Sequence, residues 1–122
     1  KSDKQRLSLA HSLNIHNPRL LSVLALMEEN IETPIPVEQL ADKTYVSQRQ
    51  LERLFRQFLD CSPSHYYLKL RLNRARQLLC ETSLSISDIA VASGFGSTSQ
   101  FCRTYHSHFG MTPGKQRQTI DN

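Results

Sequence analysis

The feature that most constrains the fold of this 122-residue chain is an internal repeat with a period of about 50 positions. In each copy a short segment with apolar residues at helical spacing leads into a tight turn, and a longer segment with one apolar face follows. The positions that match at an offset of 49 are Val37, Leu40 and Ala41 with Ile86, Ile89 and Ala90, and at an offset of 50 they are Leu51, Arg53, Phe55, Leu59, Ser62 and Pro63 with Phe101, Arg103, Tyr105, Phe109, Thr112 and Pro113. Self-similarity of this kind indicates that one supersecondary unit occurs twice.

The boundaries within each copy indicate what that unit is. In the second copy Ser85 precedes the short segment, Gly94 ends it, and Ser97 opens the longer one. Small polar residues favour the N-cap of a helix, and glycine favours the position after its last turn. The order of helix, tight turn and helix predicts a helix-turn-helix motif in each copy.

The turn of the first copy departs from that of the second, because Tyr45 stands where the second copy has Gly94. If this position requires a positive φ angle, Tyr45 is strained there by about 1 kcal/mol or more. If it does not, the first turn has a different shape. The sequence leaves both alternatives open.

Helix start signals also stand outside the two motifs. Pairs of a capping residue and a proline occur at Asn17-Pro18, Ser62-Pro63 and Thr112-Pro113. The middle pair opens a joining helix that extends to about Cys80 and contains neither glycine nor an internal proline. We therefore predict an all-α fold of about seven helices, with two helix-turn-helix subdomains joined by a long linker helix. The predicted divisions are an interdomain linker over 1–16, a first subdomain over 17–69 that includes the start of the linker helix, and a second subdomain over 70–119.

Charge and cysteine usage narrow the classes of function. Fifteen Lys and Arg residues against eleven Asp and Glu residues give a net charge of +4, which suits a polyanionic partner without identifying one. The three cysteines form neither an even set nor a C-x-x-C pair, so we predict a cytoplasmic protein in which Cys61, Cys80 and Cys102 are small buried hydrophobes. No apolar run reaches the roughly 18 residues of a membrane span. A start at Lys1 rather than Met suggests a fragment of a longer protein.

The longer helix of each motif, which we call its reading helix, spans about 47–59 in the first copy and about 97–109 in the second. In this motif the N-terminal residues of the second helix meet base edges in the major groove of DNA. The outward positions are Arg49, Arg53 and Arg56 in the first reading helix and Thr98, Ser99, Gln100 and Arg103 in the second. Such rows are also typical of a solvated helix face. They would equally suit a helical interaction module that binds an acidic protein partner.

The run from Arg71 to Pro113 resembles the C-terminal signature of the AraC/XylS family of bacterial transcription regulators. The residues in register with that signature are Ala90, Gly94, Phe95, Phe101, Phe109 and Pro113. The upstream segment from Pro36 to Leu70, with its runs VSQRQLERLFRQFL and SPSHYYLKLRL, is most similar to the GlxA-like branch. The resemblance implies sequence-specific binding of double-stranded DNA, with the two reading helices in successive major grooves.

The same resemblance implies particular contacts and partners. Base or phosphate contacts fall on Arg49, Glu52 and Arg53 in the first reading helix and on Thr98, Ser99, Gln100 and Arg103 in the second. Arg56 extends the first row, and further candidate phosphate contacts are Ser47, Ser97, Lys69 and Lys115. The implied protein partners are RNA polymerase and an upstream sensor or dimerisation domain, which in GlxA-like proteins resembles a class I glutamine amidotransferase fold. The operator, the effector, the oligomeric state and the choice between activation and repression do not follow from the sequence.

Each of these residue types has a physical reason to contact DNA. Arginine offers a bidentate fork to guanine or phosphate, glutamine matches adenine, and serine or threonine can donate to phosphate. Glu52 departs from the uncharged polar residue that family members often carry, and we interpret it as an ion-pair partner of Arg49 or Arg56. Gln100 has a competing role, because Ser97 to Gln100 forms a capping box in which the amide reaches back to the Ser97 backbone.

Signals for enzymatic chemistry are weak. Cys102 and His106 lie at i, i+4 on one helix, a spacing that suits zinc, but no second pair of ligands stands at a suitable distance in the sequence. The sequence also contains no glycine-rich phosphate loop and no cofactor fingerprint. We therefore predict a non-enzymatic protein without metal or cofactor.

Overall fold

The computed structural model describes residues 16–121, and every regular element among them is an α-helix. The helices are α1 Pro18–Glu29, α2 Val37–Lys43, α3 Gln48–Leu59, α4 Pro63–Glu81, α5 Ile86–Ala92, α6 Thr98–Phe109 and α7 Pro113–Asp121. The prediction of an all-α fold with about seven helices and a long joining helix is confirmed. None of the helices within 16–121 combines the length and the hydrophobicity that crossing a membrane requires.

The chain divides into two compact units between Leu68 and Lys69, inside α4. The first unit contains α1 to α3 and the first turns of α4, and the second contains the rest of α4 with α5 to α7. The subdomain limits at 17–69 and 70–119 stay a prediction. Of the predicted linker over 1–16, all but His16 lies outside the described residues.

The core of the first unit is built on α1. Asn17 caps this helix, because its Oδ1 accepts from the backbone N–H groups of Arg19 and Leu20, both at 3.1 Å. All four helices contribute buried apolar or aromatic side chains, and the turn after α2 adds Val46: Leu20, Val23, Leu24, Met27, Leu40, Ala41, Val46, Leu51, Phe55, Tyr66 and Tyr67. Ile31 continues the helical spacing of Leu20, Leu24 and Met27 but lies beyond α1, which ends at Glu29 with Asn30 as its C-cap.

A buried tyrosine fixes the segment between α1 and α2. The Tyr67 hydroxyl donates to the carbonyl oxygen of Asn30 and accepts from the backbone N–H of Ile35 at 3.0 Å. These two bonds satisfy polar backbone groups just outside the helices, where no intrahelical partner exists. The position of α2 therefore depends on a side chain of α4.

The core of the second unit is aromatic. Phe101 of α6 lies between Phe95 and Tyr105, with ring centroids 5.2 Å and 5.7 Å away. The apolar row of α4 adds Leu72, Ala75 and Leu79, and α5 adds Ile89 and Ala90. Arg117 of α7 donates to the carbonyl oxygens of Leu79, Thr82 and Leu84 at the end of α4. Leu79 lies in the last turn of α4, and Thr82 and Leu84 lie just beyond it, where carbonyls lack intrahelical donors.

The cysteine prediction is wrong. Cys80 is exposed, while Cys61 and Cys102 are half-buried. Cys80 directly follows Leu79, which is 2% exposed. Successive residues of a helix point about 100° apart, so Cys80 does not share the buried direction of Leu79.

The turns of the two helix-turn-helix motifs have the same hydrogen-bond pattern. After α2, the N–H of Val46 donates to Ala41 O at 3.1 Å and the N–H of Tyr45 to Asp42 O at 3.2 Å. After α5, Phe95 and Gly94 make the corresponding bonds at 3.0 Å and 3.1 Å. This pair of bonds satisfies the last carbonyls of a helix and requires a left-handed residue next to the cap.

The structure decides between the two alternatives for Tyr45, which has a φ angle of 60° against 83° for Gly94. The two copies also match at the residue after each reading helix, where Asp60 and Gly110 have φ angles of 56° and 84°. The left-handed conformation costs about 1 to 2 kcal/mol for a residue with a Cβ atom. The ring of Tyr45 is 87% exposed, so little packing offsets that cost.

We expect Tyr45→Gly to leave the free energy of unfolding unchanged or to raise it by up to about 1 kcal/mol, because relief of strain exceeds the added entropy of the unfolded chain. Urea denaturation measures the change. Gly110→Ala is the matched opposite: an added Cβ would meet nothing within 4 Å, so backbone strain alone should lower stability by about 1 kcal/mol. A loss of more than about 1 kcal/mol in Tyr45→Gly would contradict the assignment of strain.

Candidate nucleic-acid interface

The start of the first reading helix, α3, is fixed by a reciprocal cap. Ser47 Oγ accepts from the N–H of Gln50 at 3.1 Å, and Gln50 Oε1 accepts from the N–H of Ser47 at 3.2 Å. Two of the backbone donors that every helix start leaves free are thereby satisfied. The carbonyl oxygen of the Gln50 amide is therefore engaged in the cap.

The outward face of α3 carries three arginines. The helix buries Leu51 and Phe55, and Arg49, Arg53 and Arg56 are exposed. Their spacing places them on neighbouring turns of the helix, where three guanidinium groups raise the local positive potential. This row can therefore attract and bind an anionic surface.

Two further residues of α3, Glu52 and Phe58, are exposed beside the arginine row. Glu52 is exposed, and its ion pair with Arg49 or Arg56 stays a prediction. Phe58, an apolar residue of the same helix, is 39% exposed. Only Leu51 and Phe55 of α3 are fully covered, so the buried stripe of this helix is narrower than its apolar sequence suggests.

The second reading helix, α6, is capped differently from the expected box. Ser97 Oγ accepts from the N–H of Gln100 at 3.1 Å, as predicted. Gln100 Oε1, however, accepts from the N–H of Gly96 at 3.3 Å and not from Ser97. The second turn contains one residue more than the first, and the additional N–H of Gly96 takes the acceptor. The side chain of Gln100 is exposed but would have to release this bond to pair both its groups with adenine.

The other outward residues of α6 differ in their exposure to solvent. Ser99 and Arg103 are exposed, and Thr98 is half-buried. The Thr98 hydroxyl donates to Ser87 Oγ at 3.2 Å, which connects α6 to α5. The donor of the Thr98 hydroxyl is therefore engaged within the unit, while its oxygen can still accept.

The four candidate phosphate contacts lie in different settings. Ser47 and Ser97 are the N-caps of the two reading helices. Lys69 is half-buried on α4. Lys115 is exposed in the first turn of α7, where its N–H donates to Thr112 Oγ1 at 3.2 Å. The predicted cap of the final helix at Thr112 is present.

Sequence reasoning missed one arginine on each of the two helices that precede the motifs, Arg19 on α1 and Arg71 on α4. Arg71 donates through Nε to Ser93 O at 3.0 Å and through NH2 to Gly94 O at 2.8 Å, and its guanidinium lies 4.4 Å from the ring centre of Phe95. In the first unit Arg19 donates to Tyr45 O at 3.4 Å. Each arginine thus bonds the carbonyl of the left-handed turn residue.

The two arginines show that the repeat includes a third helix. Arg19 and Arg71 are 52 positions apart, and the same offset relates the buried residues Leu20, Val23 and Met27 to Leu72, Ala75 and Leu79. An offset of 52 differs from the 49 and 50 of the motif itself. A search at a variable offset would have found this signal.

Two buried phenols could be mistaken for acid–base groups. Burial, and to a lesser extent the charge of Glu28, raises the pKa of Tyr66 to about 12. Burial likewise raises the pKa of Tyr105 to about 12, and its hydroxyl donates to Gln116 Oε1. Both phenols stay protonated at neutral pH and serve packing. Within 16–121 no three His, Cys, Asp or Glu side chains are grouped as metal ligands.

Comparison with protein families agrees with the helix-turn-helix fold. A family model described as a helix-turn-helix domain matches residues 40–119. The chain is 52% identical to the HTH-type transcriptional regulator GbdR of Pseudomonas aeruginosa over 97% of its own length and 32% of that protein. It is 40% identical to the HTH-type transcriptional regulator GlxA of Rhizobium meliloti over 93% of its length and 35% of that protein. The chain thus spans about a third of the length of the curated relatives it matches.

Solved structures agree with these relatives. A transcriptional regulator from Chromobacterium violaceum, described as containing an AraC-type DNA-binding domain, superposes with a TM-score of 0.80 at 51% identity, over 84% of this chain and 92% of that chain. The DNA-binding domain of the global transcriptional factor AdpA superposes with a TM-score of 0.80 at 26% identity, over 84% of this chain and 93% of that chain. That domain was solved in complex with a target DNA.

Proposed function

Because this chain belongs to the AraC/XylS family of helix-turn-helix regulators, we propose that it binds double-stranded DNA sequence-specifically in the regulation of transcription. The observation that carries the proposal is the repeated presentation of a capped reading helix with an exposed polar face, α3 in one unit and α6 in the other. The likeness of the AdpA domain, solved with its target DNA, supports it further.

In the proposed complex α3 and α6 enter successive major grooves. Residues at the N-terminal half of a reading helix meet base edges, and flanking residues hold the backbone. The first row offers Arg49, Arg53 and Arg56 with Glu52, and the second offers Thr98, Ser99, Gln100 and Arg103. Ser47, Ser97, Lys69 and Lys115 are proposed backbone contacts. The first unit thus contributes mainly charge, whereas the second contributes mainly neutral hydrogen-bonding groups.

The setting of the module is a further part of the proposal. The curated relatives are about three times as long as the matched region, which supports a sensor or dimerisation domain upstream in the full-length protein. RNA polymerase is the proposed protein partner, as a transcription regulator requires. A regulator that reads chromosomal DNA in a bacterium works in the cytoplasm, and neither metal nor cofactor nor enzymatic activity is part of the proposed role.

Selection of bound sites from random duplex DNA, followed by competition with scrambled duplexes, tests this function. We expect Arg53→Ala and Arg103→Ala each to weaken binding to the selected site by about 1 to 3 kcal/mol and to relax base preference at different positions. Lys69→Ala should weaken selected and scrambled duplexes by the same small factor, because phosphate contacts carry no sequence information.

One result would overturn the proposed function, and another would overturn only the assignment of the reading surfaces. If no sequence is enriched and binding to all duplexes is equally weak, the exposed arginine row would instead favour the alternative, a helical module for an acidic protein partner. If a site is enriched but both arginine variants bind it as tightly as the unaltered protein does, the outward faces of α3 and α6 are not the reading surfaces.

A further inference from the structure

A cleft on the first unit lies beside the reading helix and shares only Arg53 with the predicted contact rows. It has a volume of about 260 Å³ and is lined by Asn17, Arg19, Val46, Gln50, Arg53 and Leu54. Two of the six residues are arginines and none is acidic. One arginine comes from α1 and the other from the outward row of α3, so the cleft extends the charged surface of α3 towards the start of α1.

The polar atoms left unused in this cleft are hydrogen-bond donors. Asn17 Oδ1 is occupied by the N–H groups of Arg19 and Leu20, which leaves the side-chain NH2 group of Asn17. Gln50 Oε1 is occupied by the N–H of Ser47, which leaves the amide NH2 group of Gln50. Arginine has donors only. A ligand that offers acceptors and negative charge therefore suits this cleft.

Arg19 is held much more loosely than its counterpart in the second unit. Its side chain is exposed, and among the described residues its guanidinium donates a single bond of 3.4 Å, to Tyr45 O. Arg71, in contrast, bonds two carbonyl oxygens at 2.8 Å and 3.0 Å and lies against a ring. Two bonds and a stacked ring fix Arg71 as a structural brace, whereas most donors of Arg19 remain available.

We propose that this cleft binds one phosphate group of the DNA backbone, with Arg19 as the contact residue. The inference rests on the proposed function and adds to it a phosphate contact, Arg19, that neither contact row includes. A phosphodiester is anionic and offers acceptors only, and a guanidinium fork matches two of its oxygens. Asn17 and Gln50 line the same cleft and carry NH2 groups that can donate to a phosphate, and Arg53 adds positive charge there.

This assignment makes the two units unequal. The first unit contacts the DNA backbone through Arg19. The equivalent residue of the second unit, Arg71, is bonded to carbonyl oxygens of its own turn. A phosphate contact positions the protein without reading sequence. Loss of Arg19 should therefore weaken binding to every duplex alike, unlike the loss of Arg53.

The test compares Arg19→Gln with the unaltered chain by fluorescence anisotropy over a series of salt concentrations. We expect binding weakened about 3- to 10-fold on selected and scrambled duplexes alike, and a slope of log affinity against log salt that is shallower by about 0.9, the value for one phosphate. Arg74→Gln, an exposed arginine on α4, is the matched control and should leave the slope nearly unchanged. Arg19→Lys keeps the charge and should keep the slope while losing part of the affinity.

A second measurement locates the phosphate. In duplexes that carry one neutral methylphosphonate at a time, the unaltered chain should lose affinity at the contacted position, and Arg19→Gln should lose nothing further there. If the unaltered chain is sensitive to backbone neutralisation but Arg19→Gln has the same profile and slope, the site is wrong while the proposed function stands. If the unaltered chain shows neither sequence selection nor salt dependence, the proposed function itself fails. Thermal unfolding of each variant separates loss of contact from loss of the bond to Tyr45.

Discussion

Raising the salt concentration from about 50 to about 200 mM should weaken specific DNA binding by about 10³- to 10⁴-fold. Lysine and arginine contacts to phosphate release condensed counterions, and the free energy of that release falls as salt increases. With about five to eight such contacts, log affinity should fall against log salt with a slope near −4.5 to −7. Anisotropy titrations with the selected duplex measure this slope.

An uncharged solute at the same osmolality is the control, because it changes water activity without competing for phosphates. A scrambled duplex should show a slope of similar size at lower affinity, since backbone contacts dominate non-specific binding. A slope shallower than about −2 would be incompatible with backbone contacts from both units.

Arg71→Ala should lower the free energy of unfolding by about 2 to 4 kcal/mol, more than Tyr45→Gly, Gly110→Ala or Arg74→Ala changes it. The change removes both bonds to Ser93 O and Gly94 O and the contact with the Phe95 ring. Two carbonyl groups in a partly buried turn lose a charged donor, and the cation–π contact is lost with them. Urea denaturation followed by circular dichroism measures the loss.

Arg74→Ala, on the same helix but exposed, should change stability by no more than about 0.5 kcal/mol. Arg71→Lys should fall between the two, because an ammonium group cannot reach both carbonyls in the geometry of a guanidinium fork. A loss below about 1 kcal/mol in Arg71→Ala would mean that the second turn is held by its own backbone bonds.

The elements that the sequence predicts best are those with local causes. Ser85 and Ser97 cap the helices that were assigned to them, and Gly94 ends α5 in the left-handed conformation. A capping hydroxyl needs only the N–H three residues ahead, so its signal lies within a few positions of the chain. The two motifs and the joining helix followed from such signals.

The features that the sequence leaves open depend on competition or on distant partners. Tyrosine has a low preference for positive φ, so the conformation of Tyr45 could not be predicted from its residue type. Tyr45 adopts a positive φ because its turn makes the same two backbone bonds as the turn at Gly94. Gln100 bonds Gly96 because the second turn is one residue longer. The partners of Arg71 are 22 and 23 positions away, and no local pattern encodes them. The roles of the outward residues in binding DNA stay predictions, because they need the duplex as a partner.

The exposed ring in the first turn has an optical consequence. The chain contains four tyrosines and no tryptophan, and Tyr66, Tyr67 and Tyr105 are at most 8% exposed against 87% for Tyr45. A water-soluble quencher such as acrylamide therefore reaches essentially one fluorophore, at a known position two residues before the cap of α3. The strained residue serves as a built-in, label-free reporter of what approaches the first unit.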